Sequence, residues 1–133
     1  MAEQGPPDGG QVELGITFFY YRDLPGAMAF YERVLGVSVT IDQGWCKIYR
    51  LNGGACVGLV DESRGSHRAH DVKPVQLCLR VPDVDAWHAW AASQQVPKLG
   101  ETRTNEPLGI RAFTFEDPEG YQIEVQTPTR QGA

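Results

Sequence analysis

Apolar and polar residues alternate over short stretches of the chain, and this period of two predicts β-strands. In the first half the predicted strands are 14–21, 37–41, 45–51 and 55–60. Between the first two, apolar residues recur at helical spacing from Ala27 to Leu35, which predicts a helix. Asp23 can cap its N-terminus and Gly36 can end it. The first half is therefore predicted to be β-α-β-β-β.

The second half repeats this order. Its predicted strands are 75–81, 96–102, 110–115 and 121–126, and Asp83 can cap a helix after the first of them. An offset of 60 relates Asp83 to Asp23 and carries Ile16 onto Gln76. This internal repeat predicts an α+β fold of two tandem β-α-β-β-β modules, whose strands form a cup-shaped mixed sheet with the helices on the convex face.

Composition divides the chain further. Residues 1–11 are rich in Gly and Pro and are predicted to be a disordered leader. Residues 12–128 are predicted to be one domain, with module one at 12–61, an exposed connector at 61–73 and module two at 74–128. Residues 129–133 form a short tail.

The alternation within strands indicates which side chains face the cup. In the strand 75–81, Leu77, Leu79 and Val81 are apolar and should face the helix, so the other residues should face the cup. Applied to both modules, this assigns to the cup Ile16, Phe18, Tyr20, Gln76, Cys78 and Arg80. The last strand alternates in the same way and places Glu124 on its polar face.

Charge and cysteine content exclude several classes of protein. A net charge of −5 makes nucleic acid an unfavourable partner and tolerates a cationic small molecule better. No apolar run has the length of a membrane span, and the N-terminus lacks a signal-peptide core, which predicts a cytoplasmic protein without a membrane partner. Cys46, Cys56 and Cys78 lack C-x-x-C spacing and are expected to be reduced thiols.

Two motifs carry a family resemblance. The segment Phe30-Tyr31-x-x-x-Leu35-Gly36 and the turn Asp117-Pro118-x-Gly120, in this order within two β-α-β-β-β modules, resemble the vicinal oxygen chelate superfamily. That superfamily includes glyoxalase I, extradiol dioxygenases, fosfomycin-resistance enzymes and bleomycin-resistance proteins. The resemblance extends from about residue 13 to residue 127.

The resemblance implies where a metal ion would bind. Metal-using members hold a divalent ion through His or Glu side chains at positions that correspond to Ile16, Gly58, Gln76 and Glu124. Only Glu124 is a competent ligand, and a divalent ion needs several convergent ligands. We therefore expect a metal-free pocket without a cofactor. The fallback is a site rebuilt from His67, His70 and Glu124; His88 should lie on the convex side.

A pocket without metal would have aromatic walls and a few polar groups, which suits a planar or aromatic ligand. The parity of the third strand leaves open whether Trp45 and Tyr49 face the cup, and these aromatic residues could instead pack in a core. The residues expected to bind the ligand are Ile16, Phe18, Tyr20, Trp45, Tyr49, Gly58, Gln76, Cys78, Arg80 and Glu124.

Residues 107–113 resemble the segment before the same turn in bleomycin-resistance proteins, which are acidic, cytoplasmic, non-catalytic dimers that sequester a drug at the subunit interface. The resemblance implies a homodimeric, metal-free protein that sequesters an aromatic or cationic antibiotic or metabolite in a pocket at or near the interface. Two alternatives stay open. One is a metal-independent isomerase or lyase with Glu124 as base or Cys78 as nucleophile; the other is an isomerase, lyase or dioxygenase-like enzyme with rebuilt metal ligands.

Overall fold

Each half of the chain folds as one β-α-β-β-β module in the computed structural model, which describes residues 5–133. Module one consists of β1 (Gly15–Tyr21), α1 (Leu24–Leu35), β2 (Val39–Asp42), β3 (Cys46–Asn52) and β4 (Ala55–Asp61). Module two consists of β5 (Gln76–Arg80), α2 (Val84–Ser93), β6 (Arg103–Asn105), β7 (Ile110–Glu116) and β8 (Gln122–Pro128). The predicted α+β fold of two tandem modules is confirmed.

The eight strands divide between two mixed sheets of four, with the orders β1-β4-β3-β2 and β5-β8-β7-β6. In each sheet the first strand of the module pairs in parallel with the last. The register is the same in both: Phe18 lies opposite Gly58, and Cys78 lies opposite Glu124. These two pairs are therefore structurally equivalent.

Local sequence determines the ends of both helices. The Asp23 side chain accepts a hydrogen bond from the Gly26 N–H, and Asp83 accepts one from Ala86, each at 3.1 Å. Gly36 ends α1 in the left-handed region at φ 68°, where a residue without Cβ has no steric penalty. The predicted caps are confirmed.

The predicted strand 96–102 is wrong. Pairing with β7 involves residues 103–105 instead. Gln95 and Lys98 have positive φ angles of 54° and 51°, which interrupt an extended chain. Val96 is buried in the core from this loop, so its apolar character reflects packing and not a strand.

One hydrophobic core lies between the two modules. It contains buried residues from α1, α2 and the helix-covered faces of both sheets. Phe19 of β1 stacks on Tyr121, with ring centroids 4.3 Å apart and planes 7° apart. The Trp90 indole of α2 donates a hydrogen bond to the Val34 carbonyl of α1 at 2.8 Å. We call the face of each sheet that no helix covers the open face of its module.

A buried carboxylate in the β7–β8 turn joins the modules. Asp117 accepts hydrogen bonds from the hydroxyls of Tyr21 and Tyr31 in module one, and from the backbone N–H groups of Glu119 and Tyr121. Burial raises the pKa of Asp117, while these hydrogen bonds act in the opposite direction. Burial likewise raises the pKa of both tyrosines, so both hydroxyls keep the protons that they donate.

The segments outside the modules are short. Residues 1–4 of the predicted leader lie outside the described residues, and Pro7–Gly10 form an exposed 3₁₀ turn, so the disorder of the leader stays a prediction. Neither α1 nor α2 is long and apolar enough to cross a membrane.

Asp117→Ala should lower the free energy of unfolding by about 3–5 kcal/mol, because it leaves buried hydroxyl and N–H donors without an acceptor. Urea unfolding followed by circular dichroism measures this loss. Asp85→Ala is the matched control, since Asp85 is an exposed carboxylate paired with Arg111, and exposed ion pairs contribute little to stability. Equal losses in the two variants would contradict the proposed role of Asp117.

Candidate functional site

The open face of module one is apolar. Ile16, Phe18 and Tyr20 point to it from β1, as the alternation predicts, while Phe19 and Tyr21 point into the core. Neighbouring strands add the buried side chains of Cys46, Ile48, Cys56 and Val60. Phe18 nevertheless keeps 41% of its surface exposed. Trp45, which is exposed on the same face, extends this apolar surface, and contiguous exposed apolar surface is a feature of binding sites.

Phe18 lies directly over Gly58. A Cβ atom added to Gly58 would lie 2.5 Å and 2.7 Å from the ring carbons Cδ1 and Cε1 of Phe18. Real Cβ atoms do not approach carbon this closely, so a larger residue at position 58 requires the ring to move. The ring therefore occupies the space that the Glu124 side chain fills in the equivalent position of module two.

A cavity of about 230 Å³ opens beside this ring. We call it the aromatic pocket. Its walls are Phe18, Tyr20, Gln43, Trp45, Cys46, Val60, Gly65 and Ser66. Trp45 precedes β3 and is 39% exposed, and the connector supplies Gly65 and Ser66. Aromatic rings with a few polar groups are typical of small-molecule sites.

Tyr49 does not belong to this face. Its side chain is fully buried in the shared core, and its hydroxyl donates a hydrogen bond to the Glu32 carboxylate of α1 at 2.7 Å. The expectation that Tyr49 lines the pocket is wrong because Cys46 and Ile48, not Lys47 and Tyr49, point to the open face. Trp45 reaches the pocket because it lies in the turn before the strand.

The open face of module two is polar. The Arg80 guanidinium donates from Nε to Gln126 Oε1 at 2.6 Å, and the Gln126 amide in turn donates to Glu124 Oε2. On β5, Gln76 donates to Gln122. Glu124 thus accepts a hydrogen bond at the centre of a network of uncharged and cationic groups, and it keeps acceptor capacity for a further donor.

Cys78 lies beside Glu124 in this network, with 3.6 Å between Sγ and Oε2. Burial raises the pKa of the Cys78 thiol, and the charge and hydrogen bond of Glu124 raise it further, while Arg80 lowers it. A raised pKa keeps the thiol protonated, which disfavours its use as a nucleophile.

The expected site residues thus form two groups. Ile16, Phe18, Tyr20, Trp45 and Gly58 lie on module one, and Gln76, Cys78, Arg80 and Glu124 lie on module two. Among residues 5–133, no hydrogen bond, ion pair or aromatic contact links side chains of the two groups. The helix-covered faces of both sheets contribute to the shared core, so each open face points away from it.

The positions implied for a metal ion do not fit one. Ile16 and Gly58 offer no side-chain ligand, and Phe18 fills the space at Gly58. His67 packs edge-on against Tyr20, with 5.1 Å between ring centroids, and His70 is exposed. In the described part of the chain, no three His, Cys, Asp or Glu side chains converge as a metal site. The fallback set of His67, His70 and Glu124 is therefore not assembled within one chain.

His88 lies on the helix-covered side, as expected. Its Nε2 is 2.9 Å from the Gly100 carbonyl, and its ring contacts the edge of Phe113 at 5.0 Å. A histidine with these partners is structural.

Sequence reasoning missed several residues of both faces. Gln43 and Ser66 lie in loops, where no periodicity indicates the direction of a side chain. Gln126 could have been found, because it shares the alternation of Gln122 and Glu124 on β8.

A second cavity of about 430 Å³ lies between the modules. Its walls are mainly aliphatic and include Leu35, Leu51, Leu79 and Trp87, with Cys78 and Arg80 at one side. It offers fewer aromatic groups than the aromatic pocket and no equivalent of the exposed Phe18 and Trp45 pair.

Solved structures share this fold. Lactoylglutathione lyase from Agrobacterium tumefaciens is 24% identical, with a TM-score of 0.72 over 93% of this chain and 99% of that chain. A glyoxalase/bleomycin resistance protein from Catenulispora acidiphila DSM 44928 is 24% identical, with a TM-score of 0.66 over 87% and 98%. TioX from Micromonospora sp. ML1 is 18% identical, with a TM-score of 0.70 over 86% and 98%. At these identities the likeness shows the fold alone.

Comparison with curated proteins found no significant match. The sequence model of the Glyoxalase/Bleomycin resistance protein/Dioxygenase superfamily, in contrast, matches residues 13–125, which include every strand and helix of both modules except the end of β8. The chain therefore belongs to the glyoxalase/bleomycin resistance protein/dioxygenase superfamily.

Proposed function

We propose that this member of the superfamily binds an aromatic small molecule, an antibiotic or a metabolite, without a metal ion and without changing it chemically. The observation that carries the proposal is the Phe18 ring over Gly58. The ring fills the space at position 58, where the family resemblance implies a metal ligand. It forms a wall of the aromatic pocket there. A planar ligand gains contact area from the exposed rings of Phe18 and Trp45.

The polar open face of module two supports a further property of the ligand, a hydrogen-bond donor or a positive charge. The Gln126 amide donates a hydrogen bond to the Glu124 carboxylate and accepts one from Arg80. The carboxylate of Glu124 is therefore oriented before any ligand binds. A preorganised acceptor favours a ligand with a hydrogen-bond donor or a positive charge. The net charge of −5 also favours such a ligand over an anion.

We further propose that the protein acts as a homodimer in which the open face of module one approaches the open face of module two of the partner subunit. Two observations support this arrangement. The two faces differ in chemistry, one apolar and one polar, and one chain leaves them apart. Phe18 and Trp45 also remain exposed together on the apolar face. The cytoplasmic location stays a prediction from sequence.

The binding function is tested with a thermal-shift screen of neutral and cationic polycyclic aromatic compounds. The same protein preparation is analysed for divalent metal ions. A true ligand at about 100 times its Kd should stabilise the fold by about 2.7 kcal/mol. Phe18→Ala should weaken binding about tenfold or more, because it removes an aromatic wall. Glu124→Gln should weaken binding of cationic compounds more than that of neutral ones.

The control is Leu108→Ala, which shortens an exposed apolar side chain outside the aromatic pocket and should leave binding unchanged. Elemental analysis should find less than one divalent ion per chain. A stoichiometric metal, or the absence of any stabilising compound, would refute the proposed function.

The dimer is tested by sedimentation equilibrium, where the wild type should have twice the mass of one chain. Trp45→Arg should shift the mass toward one chain, because it places a charge on the proposed interface. Leu108→Arg places the same charge on an exposed apolar residue of the loop between β6 and β7 and should leave the mass unchanged. A wild type of single-chain mass at micromolar concentration would exclude the arrangement.

An enzyme without metal is the second candidate, and the Cys78–Glu124 contact is the observation that bears on it. A general base takes a proton from its substrate, whereas Oε2 of Glu124 already accepts hydrogen bonds from the Gln126 amide and the Cys78 thiol. The raised pKa of the thiol makes Cys78 a poor nucleophile. The contacts at Glu124 therefore favour binding over catalysis.

The reactivity of Cys78 tests this reading directly. It is the exposed cysteine, whereas Cys46 and Cys56 are buried. Its alkylation by iodoacetamide at pH 8 should be slower than that of a model thiol, and Glu124→Gln should accelerate it several-fold by removing the neighbouring negative charge. Glu116→Gln, a carboxylate elsewhere on the same sheet, should have little effect. Fast alkylation of the wild type would instead favour a nucleophilic role.

A further inference from the structure

The connector, residues 61–73, does not run free over the surface but lies against the aromatic pocket. Gly65 packs so closely that a Cβ at this position would lie 2.6 Å from Val60 Cγ1 and 2.9 Å from the Tyr20 ring. Ser66 Oγ is 3.4 Å from the Tyr20 hydroxyl, and the His67 ring contacts the edge of the Tyr20 ring. One wall of the pocket is therefore made by the connector.

The connector is held in this position by its own polar contacts. One nitrogen of the Arg68 guanidinium, Nη1, donates to the carbonyls of Glu62, Gly65 and His67 at 2.7, 2.9 and 3.1 Å. The Glu62 carboxylate accepts the Ala69 N–H at 2.9 Å. These bonds close a loop around Gly65 and Ser66, so the wall has a defined shape.

The polar groups of the aromatic pocket are uncharged. They are the amide of Gln43, the thiol of Cys46 and the hydroxyls of Tyr20 and Ser66. Burial raises the pKa of the Cys46 thiol, which keeps it neutral. A charged group that entered would lose hydration without meeting an opposite charge on these walls. At 3.4 Å the contact between the two hydroxyls is long, so both retain capacity to bond a ligand atom.

We propose that the connector is the specificity element of the binding site, and that the group it selects is an uncharged aromatic system of one or two rings with a hydrogen-bonding substituent, such as a phenol. The substituent bonds to the hydroxyls of Ser66 and Tyr20, while the rings contact Phe18 and Trp45. Ser66 is a ligand-contacting residue, and Gly65, His67 and Arg68 are positioning residues. The inference rests on the proposed function and narrows its ligand.

The size of the cavity sets the number of rings. A cavity of about 150 Å³ holds one benzene molecule. The aromatic pocket, at about 230 Å³, accommodates one substituted ring or two fused rings. A larger ligand has to extend out of the pocket across the open face of module one, where a positive charge would remain in water or, in the proposed dimer, meet the polar face of the other subunit.

The inference is tested by calorimetric titration with four probes of the same ring size: 1-naphthol, naphthalene, 1-naphthoate and 1-naphthylmethylammonium. The wild type should bind 1-naphthol most tightly and each charged probe at least about tenfold more weakly. Ser66→Ala should weaken 1-naphthol binding about two- to tenfold and leave naphthalene binding unchanged, since only the former loses a hydrogen bond. Ser63→Ala is the matched control, because Ser63 lies on the connector outside the pocket.

Gly65→Ala provides a second variant. Its added Cβ atom should displace the connector wall and weaken the binding of every probe that the wild type binds. Circular dichroism and thermal melts establish that it folds. If Phe18→Ala abolishes 1-naphthol binding while Ser66→Ala and Gly65→Ala bind as the wild type does, the connector has no selective role and the inference is wrong, although the proposed function stands. Equal affinity for charged and neutral probes also overturns it. A wild type that does not bind 1-naphthol overturns this inference alone, because the wider ligand screen tests the proposed function separately.

Discussion

The buried carboxylate of Asp117 holds the two modules in one arrangement. It lies in a turn of module two, yet two of its donors, Tyr21 and Tyr31, belong to module one. The same turn supplies Glu119, whose carboxylate accepts the N–H groups of Arg22 and Asp23 at 2.8 Å where α1 begins. Because unpaired buried donors are costly, these bonds fix the approach of β1, α1 and β8 more narrowly than apolar contact alone would.

The two modules share strand order and register, and their side chains give them different chemistry. The equivalent pairs Phe18–Gly58 and Cys78–Glu124 occupy the same register, but one presents a ring and the other a carboxylate. An apolar half and a polar half are what an amphipathic ligand requires: the first contributes contact area and the second contributes direction. The connector adds shape to the apolar half. In the proposed binding function, selectivity depends on this connector, which lies outside the two repeated modules.

Much of the fold could be predicted from the sequence because its determinants are local. Asp23, Asp83 and Gly36 bound the helices through contacts within a few residues, and the alternation of β1 and β5 assigns their faces. Prediction failed where tertiary contacts determine the position of a side chain. Val96 is apolar because the core buries it in a loop, and Tyr49 turns inward because α1 offers Glu32 as a partner. The direction of Ser66 depends on the bonds of Arg68, which no pattern of the sequence reveals.

The ring of Phe18 over Gly58 also limits how this protein can change. A carboxylate side chain placed at position 58 would meet the ring at once, whereas loss of the ring would free the space over Gly58. A larger side chain at position 58 therefore requires a smaller one at position 18. Packing therefore couples positions 18 and 58: an aromatic ring at the first excludes a side chain at the second by its volume, whatever the chemistry of that side chain.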